Sequence, residues 1–397
     1  MGIFSGNKKK DKLVLVFDIG SSSVGGVLFF TQNSGIPKIV FSVREPIAIE
    51  GNIEADRFLY LTIKSLETVA SQIHKSGIGV PEEIFCVLSS PWHISQTRVI
   101  RLEKNTPFIF TPKLALDLIK KEIVLFEEEY SEKYPDIKSP IRSIEFKNTK
   151  IMLNGYETSK PLDQKTKELE MTLFVSISPE QILKNIEKTI NRHFHVKEIK
   201  FSSFTMASFA IVRDTFANQD SFLLIDIGGE VTDISMVKGN VLCESISFPL
   251  GINFMIRGVA FSSLASLNEA RSLISLFKDN HAVESTIKKI GPIIEKLRMD
   301  WLSNFQESLS RLSKDISVPA TIYLVVDKEL ANFFSETIKT EQFNQYTLTE
   351  SKFKVVFLDA EVFHTMATFK ESIKRDSVLI IDSIYINRFL INPSTSG

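Results

Sequence analysis

Apolar positions in this chain fall into two rhythms. Short unbroken runs, such as residues 13–17 (LVLVF) and 222–225 (FLLI), have the pattern of strands covered on both faces. Elsewhere the spacing is helical. Residues 55–75 place Phe58, Leu59, Ile63, Leu66, Val69, Ala70 and Ile73 on one face and stop at Gly77 and Gly79. Further helices are expected behind Thr111-Pro112 toward Tyr130, over 180–193 behind the capping-box residues Ser178 and Gln181, and over 200–213, 252–264, 267–277 and 284–312. Another spans 328–340, with Asp327 as its cap. Strands are expected within 14–30 and at 39–43, 84–89, 97–102, 141–146, 150–153, 170–176, 320–326 and 354–358. Residues 377–391 are rich in β-branched side chains. They read as a final strand in preference to a lipid-binding helix, because Asp382 and Arg388 lie off any single polar face.

The two apolar runs end alike. The first exits at Asp18 into Gly20 and the small polar run Ser21, Ser22, Ser23. The second exits at Asp226 into Gly228 and Gly229, after which Thr232 and Asp233 open a return strand. Turns without bulky side chains let backbone N–H groups approach a phosphate, and an Asp at the strand exit suits a hydrated Mg²⁺ beside it. A single copy fits a plain buried hairpin equally well. Two copies allow Asp18 and Asp226 to face each other across a cleft and grip a nucleotide tail from both sides. Neither copy reads GxGxxG or GxxxxGK[ST], which argues against Rossmann and P-loop folds.

This duplicated pattern resembles the phosphate-1 and phosphate-2 motifs of the actin-like ATPase superfamily. The resemblance implies an α/β, actin-like (ribonuclease H-like) two-lobed fold with ATP and Mg²⁺ as cofactors. It implies nucleotide contacts at Asp18, Gly20, Ser21, Ser22, Ser23, Gly228, Gly229, Thr232 and Asp233, with Asp18 and Asp226 as metal ligands. Asp226 is the candidate for orienting a catalytic water; the alternatives are indirect metal binding or capping of the loop. Residues 82–200, between the motifs, read as a small α+β unit. That insertion resembles the one in the bacterial cell-division protein FtsA and in PilM of type IV pilus assembly. The resulting division is a leader at 1–12, a first lobe from 13 to 81, the insert, an interdomain helix region at 201–220 and a second lobe at 221–397.

Three departures weaken the resemblance at the nucleotide. Glu230 stands where many relatives have a third glycine, and a carboxylate there repels phosphates unless Mg²⁺ or an arginine intervenes. The ribose-binding Glu and Lys of relatives correspond to Arg271 and Ile274, and an adenine-site glycine pair corresponds to residues 325–328, whose side chains would crowd a base. The expectation is therefore a weak Mg-ATPase at most.

Composition narrows the partners. With 47 basic and 48 acidic residues the net charge is −1, so no global field draws the chain to nucleic acid. Cys86 and Cys243 lie far apart and read as reduced thiols of a cytosolic protein. His93, His193, His195 and His364 show no metal-ligand spacing. Lys8, Lys9, Lys10 and Lys12 form a solvated leader or a weak attraction to anionic lipid. The preferred expectation is an FtsA-like scaffold at the inner face of the membrane, self-associating or bound to a tubulin-like division filament. The alternatives are a PilM-like protein bound to a pilus inner-membrane protein, and an active ATP-dependent enzyme.

Overall fold

The computed structural model describes residues 11–32, 34–135, 139–278, 281–313, 317–328, 330–340, 352–371 and 373–392. The chain divides into two compact units. One comprises residues 1–89, 185–216 and 358–397; the other comprises 90–184 and 217–357. The lysines at positions 8–10 lie outside the described residues. Lys12, at the first strand, pairs with Glu83 at 3.2 Å.

The first unit opens with β1 (Leu13–Ile19), β2 (Ser23–Phe30) and β3 (Lys38–Pro46), an antiparallel meander, followed by α1 (Ala55–Lys75) and β4 (Glu83–Leu88), which pairs parallel to β1. Every residue of β1 is buried, as its unbroken apolar run requires. A Cβ at Gly26 would lie 2.5 Å from Ile73 and 2.7 Å from Val69, so this glycine lets α1 pack directly on the sheet.

The insert then forms β5 (Ile94–Ile109), α2 (Pro112–Lys133), β6 (Ile141–Leu153), β7 (Tyr156–Glu157), β8 (Lys165–Pro179) and α3 (Glu180–Asn191). Its four-stranded sheet runs β5-β8-β6-β7 and packs α2 through Ile119, Phe126 and Tyr130 against Leu169, Met171 and Leu173. Thr111 caps α2 by accepting from the amide of Leu114, as expected. Two expectations fail here. Residues 141–146 and 150–153 belong to one strand, kept continuous across two register shifts against β8. The capping box also does not form: Ser178 donates its hydroxyl to Trp92 O at 2.7 Å, and Ser139 accepts from the amide of Gln181 instead.

The chain next forms β9 (Ile199–Ser203) and α4 (Phe204–Thr215), so the first third of the expected helix at 200–213 is strand. Ser203 caps α4 by accepting from Met206 N at 3.3 Å.

The second unit's central sheet follows with β10 (Phe222–Ile227), β11 (Thr232–Lys238), β12 (Val241–Phe248), α5 (Ile252–Ser263), α6 (Leu267–Lys278), α7 (Glu284–Leu312), β13 (Thr321–Val326), α8 (Ala331–Thr340) and β14 (Lys354–Phe357). Its order is β12-β11-β10-β13-β14. Trp301 of α7, fully buried, stacks on Phe305 and meets Phe248 and Phe334. Helix α8 begins at Ala331, three residues later than expected.

The end of the chain corrects two expectations. After β15 (Thr368–Phe369) it forms α9 (Ser377–Tyr385) and a π-helical turn (Ile386–Ile391), where a strand was expected. A helix apolar on all sides is stable when buried on all sides, and this outweighs β-branched propensity. Leu379, Ile380, Ile381, Ile384 and Tyr385 are each 1% exposed or less, packed among α4, β1 and β2. Residues 358–397 also belong to the first unit and not to the second lobe. There, β15 extends the six-stranded sheet β15-β3-β2-β1-β4-β9. Among the described residues no helix is long and apolar enough to cross a membrane.

Removing residues 376–397 should therefore abolish folding, because each large apolar side chain lost from this interior is worth about 1.5–3 kcal/mol. Ile381→Ala should cost about 2–5 kcal/mol in urea unfolding of the full chain.

Candidate functional site

Each phosphate-type turn lies at the exit of the strand that the sequence indicated, one in each unit. In the first, Gly20 N donates to Ser23 O at 3.2 Å and Ile47 N donates to Ser22 O at 2.9 Å, which closes the turn and binds it to the segment after β3. A Cβ on Gly20 would lie 3.3 Å from Ser23 O, so the residue is near its steric limit. Ser21 is buried and Ser22 exposed.

Asp18 is engaged by the protein itself. Its Oδ2 accepts from Arg44 Nη1 at 2.7 Å, and the same nitrogen donates to Ser23 Oγ at 2.9 Å. The far edge of the guanidinium grips Asp376, with Nε to Oδ2 at 2.5 Å and Nη2 to Oδ1 at 3.1 Å. Asp376 in turn caps α9 by accepting from Leu379 N at 3.1 Å. Burial raises the Asp18 carboxyl above its ordinary range against the pull of Arg44. For Asp376 burial pushes the same way, but Arg44 and the amides of Leu379 and Val378 bring it below. Gly25 makes room for this arrangement, since a Cβ there would come within 2.9 Å of both Arg44 Nη2 and Leu379. Neither Arg44 nor Asp376 was singled out from the sequence.

The second turn is built against a helix start. Gly228 N donates to Val231 O at 2.9 Å, and the turn's carbonyls are taken by the first amides of α5: Ile252 N to Gly228 O at 2.9 Å and Asn253 N to Gly229 O at 2.8 Å. Two of the four N–H groups that a helix start leaves unsatisfied are thereby used. Gly251 makes this approach possible, because a Cβ there would sit 2.4 Å from Gly228 O and 2.5 Å from Gly229 O.

Glu230 is 8% exposed and held by α5. Asn253 Nδ2 donates to its Oε1 at 2.8 Å, Arg257 Nη1 to the same oxygen at 3.1 Å, and Arg257 Nη2 to Oε2. Of the two cations that the sequence reading allowed here, Mg²⁺ or an arginine, the arginine is present beside this carboxylate as a bidentate partner.

Thr232 and Asp233 are committed to structure. Thr232 Oγ1 donates to Leu250 O at 2.7 Å and accepts from Trp301 Nε1 at 3.2 Å. Asp233 Oδ1 accepts from Ser90 Oγ at 2.9 Å, at the start of the insert, and from Ser247 Oγ. Burial raises the Asp233 carboxyl, with those hydroxyls opposing. Asp226 is half-buried directly across β10–β11 from Asp233 and beside Val325 of β13. Among the described residues no cluster of three or more His, Cys, Asp or Glu could hold a metal.

A small cleft, with a cavity volume of about 20 Å³, opens in the second unit where the resemblance would place a nucleoside. Ile252, Ile256, Ile274 and Leu330 supply apolar walls, with Arg271, Ser275 and Asp327 as polar groups. That volume is room for about one water molecule, which needs roughly 10–15 Å³ on the same measure. With Asp327 and Leu330 on its wall, this space is too small for a base, in line with the crowding inferred from sequence.

Gly251→Ala should displace the second turn at a cost of about 1–3 kcal/mol, read from the urea midpoint. Asp233→Asn tests the raised carboxyl. An acid whose folded pKa lies above its unfolded value costs stability once ionised, so the asparagine should be more stable than the wild type at pH 7. That advantage should shrink as pH falls through the folded pKa and the wild-type Asp233 carboxyl becomes neutral. Thermal midpoints across pH 4–7 check this; a gain that persists at the acid end contradicts it.

No protein-family profile matches the chain, and no curated protein matches it. Solved structures do. The chain is similar to one in the PilM-PilN type IV pilus biogenesis complex, at 14% identity over 94% of this chain and 96% of that one, with a TM-score of 0.59. The ethanolamine utilization protein EutJ from Carboxydothermus hydrogenoformans aligns at 9% identity over 94% and 88% of the two chains, TM-score 0.40. A Bacteroides thetaiotaomicron protein with an actin-like ATPase fold and unknown function aligns at 10% identity over 90% and 93%, TM-score 0.39. These identities bear on fold alone, and the first match carries it: the chain has the actin-like ATPase fold in its PilM form.

Proposed function

We propose that this protein is a PilM-like scaffold: an actin-fold subunit that sits at the cytoplasmic face of a membrane machine and binds a pilus inner-membrane protein of the PilN kind. The observation that supports it is the near end-to-end match to a PilM-PilN structure, which takes in the insert as well as both central sheets. An FtsA-like division role rests on the same fold and on the Asn154-Gly155-Tyr156 turn between β6 and β7, which is a tight turn with positive φ at Asn154 and Gly155 and carries no partner-specific chemistry.

Nucleotide is a weak ligand in this reading, held by turn amides with Mg²⁺ at Asp226 and with little room for its base in the small cleft beside Arg271. Most side chains expected to touch phosphate are bonded within their own unit. The scaffold role then falls to the surface, and ATP to occupancy more than to turnover.

Two measurements test the proposal. The purified chain should retain the cytoplasmic segment of a pilus inner-membrane protein from its own organism, and should not retain the tubulin-like division protein; the reverse pattern supports the division reading. A fluorescent ATP analogue should bind with low affinity and lose binding in Gly228→Asp. Steady Mg²⁺-dependent ATP hydrolysis abolished by Asp226→Ala would support an enzyme instead.

A further inference from the structure

The actin-like fold implies a divalent cation beside the acid of the first phosphate turn, and the residues around Asp18 do not fit one. Mg²⁺ keeps most of its water shell and asks an acid to present an oxygen to that shell. Asp18 is 2% exposed. Its Oδ2 is occupied by a guanidinium, while its Oδ1 is buried with no hydrogen-bond donor in reach. No second acid stands on the turn, since the other carboxylate of the cluster, Asp376, is bound by the opposite edge of the same arginine and by the start of α9.

We propose that Arg44 is the resident cation of the first turn, that this turn takes no divalent metal, and that Asp18 serves to fasten the last helix to the first hairpin. A guanidinium offers five N–H groups in a rigid fork and carries its charge at all accessible pH values. Four donor contacts are made here, two to Asp376, one to Asp18 and one to Ser23. A metal at Asp18 and α9 fastened through Arg44 are alternatives, because both need the same carboxylate. This inference is independent of the partner proposed above and concerns metal occupancy alone.

The test is Mn²⁺ titration of the full-length protein with the free ion read by electron paramagnetic resonance, with and without an ATP analogue. Asp18→Asn should leave Mn²⁺ affinity within about twofold of wild type, and a greater loss overturns the proposal. Arg44→Gln should gain a Mn²⁺ site that the Arg44→Gln, Asp18→Asn double variant lacks. Failure of that site to appear refutes the guanidinium as the excluding group. Should the variants fail to fold, the wild type alone decides through the ¹⁵N side-chain signal of Arg44. Unbroadened by Mn²⁺, the signal supports the proposal; paramagnetic loss of that signal places the metal beside Asp18 and overturns it.

Discussion

The first unit hangs on a single arginine. Arg44, on β3, touches the end of β1 through Asp18, the start of β2 through Ser23 and the head of α9 through Asp376. Two carboxyls and one guanidinium are mostly hidden from water, and burial resists a second negative charge there, raising the Asp18 carboxyl above its ordinary range. Such a group is poor evidence of net stability on its own, yet removing the arginine leaves both buried carboxyls without their counter-charge, at a cost of about 3–5 kcal/mol. Its value lies in specifying arrangement. The helix must start where Asp376 can reach the guanidinium, and β2 must carry glycine at position 25 to leave that space open.

The second unit reaches a parallel solution with different parts. Arg257 neutralises Glu230 from α5, and the same helix gives its first amides to the turn carbonyls. In both turns the backbone keeps the tight course associated with phosphate binding, while the charged side chains answer to neighbours in their own unit. Both turns are closed by the protein's own hydrogen bonds, from Gly20 N to Ser23 O and from Gly228 N to Val231 O.

Much of this was legible in sequence where the cause is local. The apolar runs at 13–17 and 222–225 specified buried strands, and glycines 20, 228 and 229 with the flanking acids marked both turns. Helices with one apolar face, α1 above all, came through with their bounds intact. What failed depends on distant partners. Asp18 and Asp376 meet on one arginine, and 332 positions separate Arg44 from Asp376, so no window of sequence joins them. Ser178 is drawn to Trp92 O across 86 positions, and the capping box it would otherwise have made is lost. Residues 377–385 carry strand-forming side chains but are enclosed on every side, and enclosure decided the outcome. The pairing of Glu230 with Arg257 was half legible: the charge problem could be stated in advance, its solution could not.

The placement of α9 has a consequence for how the protein is made. The sheet containing β1 and β2 is synthesised first, but the helix that covers it and the short strand that completes its edge come after residue 367. Throughout translation of the intervening residues, Val16, Val27 and their neighbours on the face that α9 covers have no lid, whereas β10 to β14 can close on contacts nearer in the chain. The unit begun first is thus the last to be finished, and for that interval an open apolar face is a point at which chaperones or aggregation compete for the nascent chain.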